Sequence, residues 1–316
     1  MPWSTRVSVT ERGLGLRLVL ARLWSRRAAR TSLLLIVLLY AVALFAKQLA
    51  PYPPATQHDI VALKDRPPSA QHPFGTDFVS RDVLSRMLYG ARVSLSVATL
   101  AVLLSVTIGL TYGLIAGYFG GRLDEVMMRL LDALLSIPRL LLLMAVLTLW
   151  TPAPLSALII LLGVTGWFSV SRLVRAEARS VRQRDFVAAA HALGARPHEI
   201  ILRHLLPNVL APVIVAATLG IANVIILEAG LSYLGIGTHE PTASWGSILR
   251  DGSDAFGTAW WLMVFPGLAI LVTVLAFNTL GDALRDALDP RQLPGASTIP
   301  STAEADIQRT LTPQRG

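Results

Sequence analysis

The feature that most constrains this chain is a series of six apolar runs, each of about the length at which a helix crosses a lipid bilayer. The hydrocarbon core of a bilayer is about 30 Å thick, and a helix of about 20 apolar residues spans it. Only 15% of the 316 residues are charged and 53% are hydrophobic, which excludes an ordinary soluble domain and a disordered chain. We therefore predict an all-α membrane protein with six transmembrane helices at residues 32–49, 93–118, 130–150, 155–170, 209–227 and 260–280.

Arginine is concentrated next to these runs. Residues 1–31 hold seven arginines and one glutamate, and residues 172–207 hold seven arginines and three acidic residues. Cytoplasmic flanks of membrane helices are enriched in Lys and Arg. We therefore predict a multi-pass membrane protein with both termini and residues 172–207 in the cytoplasm. This topology accounts for the net charge of +8 and favours the lipid bilayer, not nucleic acid, as the partner of the basic segments.

The predicted topology divides the chain into five parts. They are a basic cytoplasmic segment at 1–31, the first transmembrane helix at 32–50, an external segment at 51–92, a core of five transmembrane helices at 93–281 and a cytoplasmic tail at 282–316. From about Pro290 the tail is rich in Pro, Ser, Thr and Gln, a composition typical of disorder.

The predicted outer loop at 229–258 carries Tyr233 and Trp245. These two aromatic residues are candidates for an external gate or for contact with a protein partner on the outer side. The alternative is a packed loop whose aromatic rings lie at the membrane interface. Glu228, at the end of the fifth run, is predicted to reach the outer interface.

Residues 172–207 are too long and too regular in pattern for a simple connection. Apolar spacing predicts a helix over 171–193, Gly194 is a natural helix terminator, and Pro197 fits the first turn of a second helix. The result is a helix–turn–helix elbow that can insert into a groove on a cytoplasmic partner. An amphipathic helix lying on anionic lipid is the alternative, and the sharp turn at Gly194 favours the elbow. The candidate elbow residues are Asp185, Phe186, Ala188, Ala189, Ala190, Leu193, Gly194, Pro197, Ile201, Leu206 and Pro207.

A second group of candidates lies inside the predicted spans. Three glycines in the second span are spaced by four, which puts them on one helical face where another helix can approach closely. This spacing predicts helix packing, with the lining of a pathway as the alternative. Asp132 and Arg139 are predicted to share a face of the third span but to lie too far apart along its axis for a direct ion pair. Ionisable groups inside a membrane need a partner or water. The candidates for packing or for a pathway are Gly109, Gly113, Gly117, Asp132, Arg139 and Asn278.

Several motifs together resemble those of ABC importer permeases. The segments DFVAAAHALGA at 185–195 and RHLLPN at 203–208 are similar to the EAA loop of that family. Further segments look like those of the C-type permeases for dipeptides, oligopeptides and nickel, at residues 72–77, 81–86, 90–92, 116–121, 228–235, 244–246 and 278–291. One position departs from the pattern, because the EAA motif usually starts with Glu and Ala188 stands there. Asp185, one turn earlier, is the candidate substitute.

The resemblance implies the type I ABC importer permease fold, with the elbow as the coupling helix that contacts an ATPase. It implies four kinds of partner: a homologous B-type permease subunit, two cytoplasmic ABC ATPase subunits, an extracytoplasmic solute-binding protein and the bilayer. The implied function is a permease for di- or oligopeptides, with nickel or another small solute as the alternative.

No motif in the sequence predicts catalysis by this chain. It has no GxxxxGK[ST] phosphate loop, no HExxH, no GxSxG and no cysteine. ATP and Mg²⁺ are therefore expected on the ATPase subunits, and no cofactor or metal is expected here. A self-contained secondary transporter would need an internal repeat with broken helices and midplane ion ligands, and the sequence shows no clear repeat of this kind.

Overall fold

The computed structural model describes residues 23–57, 59–150, 152–255 and 257–288, and these residues form helices and connections without a β-strand. A π-helical turn at Ile201–Leu205 leads directly into the long helix Leu206–Tyr233. The helices are α1 (Arg27–Leu44), α2 (Ala46–Leu49), α3 (Ile60–Leu63), α4 (Val83–Phe119), α5 (Gly121–Leu135), α6 (Arg139–Thr148), α7 (Leu155–Arg182), α8 (Asp185–Ala192), α9 (Pro197–Ile200), α10 (Leu206–Tyr233), α11 (Trp245–Asp254) and α12 (Trp261–Leu288).

Five of these helical stretches are long and apolar enough to cross a membrane, and the bent pair α5–α6 makes a sixth if it counts as one span. The five are α1, α4, α7, α12 and the continuous stretch from α9 to the end of α10. The all-α membrane class is thereby confirmed. The predicted disorder beyond Pro290 and most of the basic segment 1–31 lie outside the described residues.

The third predicted span is not one straight helix. It begins earlier than residue 130, at Gly121, and bends by 69° between α5 and α6. The bend lies at Ser136–Pro138, and Pro138 supplies the reason, because proline has no amide to donate and its ring clashes with the preceding turn.

The prediction of one helix over 171–193 is wrong. The fourth span continues without interruption to Arg182, and α8 starts at Asp185 in a new direction after a break at Gln183 and Arg184. The apolar spacing on both sides of the break is helical, so the periodicity alone does not reveal where the axis turns.

The second span also starts before its predicted boundary. α4 begins at Val83, inside the segment predicted to be external, and runs for 37 residues. The Asp82 side chain accepts a hydrogen bond from the Ser85 amide at 2.8 Å, which is the interaction of an N-cap. The helix therefore starts where a capping side chain satisfies its free amides.

The long helices give the bundle two distinct ends. The elbow, residues 185–205, lies at the end where α7 finishes and α10 starts. Arg26 pairs with Asp286, which puts the start of α1 beside the end of α12. The start of α4 and the helix α11 lie at the opposite end, where Arg86 contacts Asp251.

Candidate functional site

The turn of the elbow is fixed by Gly194. Its φ is +80°, a left-handed conformation that glycine adopts at little cost. The Ala195 amide donates to the Ala190 carbonyl at 3.1 Å and the Gly194 amide donates to the His191 carbonyl at 3.0 Å. These two bonds form the Schellman motif that closes many helices. The predicted terminator at Gly194 is thus present in the backbone.

The second arm of the elbow begins as predicted, with Pro197 in the first turn of α9. The Glu199 carboxylate accepts a hydrogen bond from the Arg196 amide at 3.1 Å, which satisfies one of the free donors at the helix start. α9 is only four residues long, and the π-helical turn that follows it carries Ile201. Leu206 and Pro207 form the first turn of α10.

The elbow presents apolar side chains to its surroundings. Leu193 is 88% exposed and Phe186 is 41% exposed. Val187, Ile200 and Leu205 are fully buried and pack in one cluster beneath the elbow. The elbow is therefore anchored from below by one set of apolar residues and leaves another set uncovered.

The small-residue patch lies on the exposed side. Ala188 and Ala189 are exposed and Ala190 is half-buried. Asp185, at the start of α8, is exposed and forms no ion pair with any residue that the structure describes. The carboxylate proposed to replace the usual Glu is thus on the same surface as the patch.

The three glycines of α4 lie where it crosses α7. A Cβ on Gly113 would lie 2.6 Å from the Ser171 carbonyl oxygen, and one on Gly117 would lie 2.7 Å from Ala178 Cβ. Gly109 meets α7 just as closely. The absence of side chains on this face is what lets the two helices approach, as expected for membrane helix packing.

A cavity of about 320 Å³ lies between the middle parts of α4, α7 and α10. Arg139, at the start of α6, reaches into its wall. The guanidinium donates from Nε to Thr165 Oγ1 at 3.0 Å and from Nη2 to the Leu162 carbonyl at 2.8 Å. The remaining polar residues of the wall are Ser105, Ser169 and Asn223.

The other charged or polar candidates of the spans lie outside this cavity. Asp132 pairs with Arg172, and both side chains are at least half exposed. The predicted shared face of Asp132 and Arg139 is wrong, because the bend at Pro138 separates them. The expectation that they form no direct ion pair agrees with the structure. Asn278 is exposed on α12 and does not line the cavity.

A cluster of paired charges, most of them buried, lies at the opposite end of the bundle from the elbow. We call Asp77, Arg81, Arg86, Glu240 and Asp251 the ionic cluster. Arg81 Nε donates to Asp77 Oδ2 at 2.6 Å, and Arg86 Nη1 bridges Asp77 and Asp251, with 2.7 Å to the latter. Arg81 also pairs with Glu240. Burial raises the pKa of the Asp251 carboxyl above its ordinary value, and the Arg86 guanidinium acts in the opposite direction.

The ionic cluster joins parts of the chain that are far apart in sequence. Asp77 and both arginines precede or begin α4, whereas Asp251 belongs to α11. A second link joins the segment before α4 to α12, because Trp261 Nε1 donates to the Thr76 carbonyl at 3.0 Å. The motif at 72–86 thus holds the starts of α4 and α12 and the helix α11 together.

Trp245 and Tyr233 lie in different environments. Trp245 is 2% exposed, its Nε1 donates to the Met87 carbonyl at 3.2 Å, and its ring packs against Gly90. The Trp245 side chain is therefore not accessible for direct contact with an external protein, because α4 already covers it. Tyr233, at the end of α10, is 42% exposed and keeps its predicted accessibility.

Glu228 lies inside the bundle, and its predicted position at the outer interface stays a prediction. Its side chain is fully buried and accepts hydrogen bonds from Ser94 at 3.0 Å and from Ser232 at 2.7 Å. Hydroxyl donors on α4 and α10 thus satisfy the carboxyl group inside the bundle. Its position near the end of an apolar run suggested exposure, whereas Ser94, one of the two serines that enclose it, lies 134 residues away in the sequence.

Sequence reasoning missed three kinds of functional residue. Val187 anchors α8, although it is not among the candidate elbow residues. Asn223 and Ser169 share the cavity with Arg139 but look like isolated polar residues in apolar runs. The charges of the ionic cluster stand within or near the recognised motifs, but their pairing across 165 residues, as between Arg86 and Asp251, leaves no local pattern.

Comparison with known proteins gives matches over most of the chain. Residues 109–293 match a family described as "Binding-protein-dependent transport system inner membrane component", and residues 16–68 match "N-terminal TM domain of oligopeptide transport permease C". The EAA-like segments at 185–195 and 203–208 fall within the first match.

Three relatives show how far the similarity extends. The oligopeptide transport system permease protein OppC of Bacillus subtilis is 37% identical over 270 residues, which cover 85% of this chain and 88% of that protein. The dipeptide transport system permease protein DppC of the same organism is 40% identical over 271 residues, 85% and 84% of the two chains. The oligopeptide transport system permease protein OppC of Escherichia coli K12 is 39% identical over 272 residues, 85% and 89%. The chain therefore belongs to the family of binding-protein-dependent transport system inner membrane components.

Proposed function

We propose that this chain is the C-type permease subunit of a binding-protein-dependent ABC importer for di- or oligopeptides. The observation that carries the proposal is identity of 37–40% to relatives named oligopeptide and dipeptide permeases, over 85% of this chain. The described helices support it, because they provide up to six membrane spans.

The transporter contains further subunits. We assign it a homologous B-type permease, two cytoplasmic ABC ATPases and an extracytoplasmic solute-binding protein. ATP and Mg²⁺ bind the ATPases, and this chain is a non-catalytic subunit. In support, its full sequence contains no GxxxxGK[ST] loop that would cradle phosphates.

The elbow is the site at which the ATPases act on this chain. Exposed Leu193 and Phe186 and the small-residue patch enter a groove on one ATPase, with Asp185 as the polar contact that replaces the usual Glu. Val187, Ile200 and Leu205 connect the elbow to α7 and α10 through their shared cluster. When ATP closes the ATPases, the elbow moves with them and the bundle changes its open side. ATP shifts this equilibrium only through its unequal affinity for the two states.

Orientation in the inner membrane has a direct test, because the chain has no cysteine. Single substitutions Val61→Cys and Leu193→Cys place a thiol at positions that are 96% and 88% exposed. A membrane-impermeant maleimide is expected to label the former in intact cells and the latter only after permeabilisation. The reverse pattern would contradict cytoplasmic termini and a cytoplasmic elbow.

The transport function is tested with the complete complex in proteoliposomes. Uptake of a radiolabelled tripeptide is expected to require the binding protein, ATP and Mg²⁺, and to stop with a non-hydrolysable ATP analogue. Uptake that needs an ion gradient and no ATP would instead identify a secondary transporter. Uptake of Ni²⁺ without uptake of peptide would reassign the substrate.

A further inference from the structure

The cavity beside Arg139 lies in the middle of the bundle. Ser105 stands well inside the 37-residue helix α4, and Gly220 lies at the middle of α10. Because both helices are candidate membrane spans, this cavity is at the depth where a charged solute is least favourable.

The charge of Arg139 is not neutralised by any carboxylate among the described residues. Its two hydrogen bonds go to uncharged oxygens, those of Thr165 and Leu162. The nearest acidic residue in sequence, Asp132, pairs with Arg172. Within the described part of the chain, Nη1 donates no hydrogen bond. The two bonds therefore fix the orientation of the guanidinium and leave part of its donor set for another group.

The space next to the guanidinium depends on Gly166. A Cβ at this position would lie 3.2 Å from Arg139 Nη2 and 2.3 Å from Ser105 Oγ. Any larger residue would therefore press on the guanidinium from the cavity side. Ser169 and Asn223 are exposed in the same cavity and offer a hydroxyl group and an amide as further hydrogen-bonding partners.

We propose that Arg139 binds the carboxylate of a peptide as it crosses the bundle. This inference rests on the proposed peptide-import function and names a substrate-contacting residue for it. A planar guanidinium matches a carboxylate in charge and geometry. A peptide carries a carboxylate at its C-terminus, and a fixed cation at mid-depth compensates for the hydration that this carboxylate loses inside the bundle. Arg139 is thus a specificity residue for substrates with a free carboxylate.

The test uses the assembled transporter and three variants. Arg139→Gln removes the charge, Arg139→Lys keeps it, and Arg172→Gln removes a charge from α7 outside the cavity. Uptake of labelled trialanine is measured with saturating binding protein. We expect Arg139→Gln to lower kcat at least about tenfold, which corresponds to about 1.4 kcal/mol. Arg139→Lys restores only part of the loss, because it keeps the charge but not the guanidinium geometry, and Arg172→Gln leaves kcat unchanged.

A second measurement separates binding from a purely structural role. Phenylglyoxal, which modifies arginine, is applied to the complex without binding protein, and modification of Arg139 is followed by mass spectrometry. Trialanine is expected to slow the reaction at Arg139 but not at Arg172, and trialanine amide is expected to have no effect.

Several results would overturn the proposal. Equal kcat for Arg139→Gln and the parent would show that the charge is not used, and equal protection by the amide would show that the carboxylate is not recognised. Absence of reaction with or without peptide, together with dissociation of Arg139→Gln complexes, would mean that Arg139 pairs with the sister permease. If the parent complex imports no peptide while trialanine still protects Arg139, the proposed function fails and the carboxylate site stands.

Discussion

The ionic cluster and the elbow, at the two ends of the bundle, are built in opposite ways. At the ionic-cluster end, the side chains of Asp77, Arg81 and Arg86 are at most 6% exposed and are paired with one another or with α11. At the elbow end, Leu193 is 88% exposed, and Phe186 is 41% exposed. The ionic cluster thus pairs its charges within this chain, whereas the elbow leaves apolar side chains uncovered. The difference indicates a fixed ionic cluster and an elbow that can receive another protein.

The largest expected effect comes from breaking the ionic cluster. Asp77→Ala would leave the buried guanidinium of Arg86 with Asp251 alone and remove the 2.6 Å contact of Arg81. Loss of one partner of a buried ion pair costs about 3–5 kcal/mol. We expect a marked fall in the melting temperature of the detergent-solubilised protein, measured by a thermal-shift assay.

The control for this variant is Glu125→Ala, which removes a surface pair with Arg129 in which the two side chains are 58% and 78% exposed. Such pairs contribute at most about 1 kcal/mol. Equal melting temperatures of the Asp77→Ala and Glu125→Ala proteins would show that the ionic cluster does not stabilise this end.

A substitution on the exposed patch of the elbow is expected to lower peptide uptake but not the melting temperature. Ala189→Arg puts a long charged side chain on the exposed patch, where the protein has room for it but a docked partner does not. Disruption of a central interface position costs about 2 kcal/mol or more. We expect normal membrane insertion and melting temperature, with ATP-driven peptide uptake reduced by more than about tenfold. Unchanged uptake by a correctly inserted Ala189→Arg protein would refute the proposal that the ATPases act on this chain through the elbow.

The glycine face of α4 (Gly109, Gly113 and Gly117) is where α4 and α7 cross. A substitution on this face tests how closely the two helices must approach. Gly113→Ala would put a Cβ 2.6 Å from a backbone oxygen of α7. A backbone atom cannot move aside as the end of a flexible side chain can. Overpacking of this kind costs about 1–3 kcal/mol. Gly267→Ala in α12 is the matched control, because a Cβ there meets nothing within 4 Å. A thermal-shift assay should show a loss for the first variant only, and equal losses would argue against a tight α4–α7 crossing.

The smallest expected effect is at the turn of the elbow. Gly194→Ala meets no atom within 4 Å, so its only cost is the left-handed backbone at φ +80°, about 1 kcal/mol. Gly194→Asn should cost less, since asparagine tolerates this conformation. Hydrogen exchange of the α8 amides measures the local opening. Faster exchange in the alanine variant than in the asparagine variant is expected, and the opposite order would contradict a left-handed cap.

Local rules account for what could be predicted from the sequence. The apolar runs indicated the membrane class. Gly194 and Pro197 indicated the elbow, because each constrains only the backbone within a few residues of its own position. Pro138 indicates the bend before Arg139, but the apolar residues on both sides of it make the segment look like one continuous span. The ionic cluster and the cavity had no such signal, because Arg86 and Asp251, or Arg139 and Asn223, meet only after the long helices have packed.

The most direct test of the account is the identity of the protein that touches Leu193 in the working transporter. A photoactivatable maleimide on Leu193→Cys is irradiated in the assembled complex, with Val61→Cys as the control on the opposite side. The account predicts capture of an ATPase subunit from residue 193 and none from residue 61. Capture of lipid alone from residue 193, while the complex imports peptide, would contradict it.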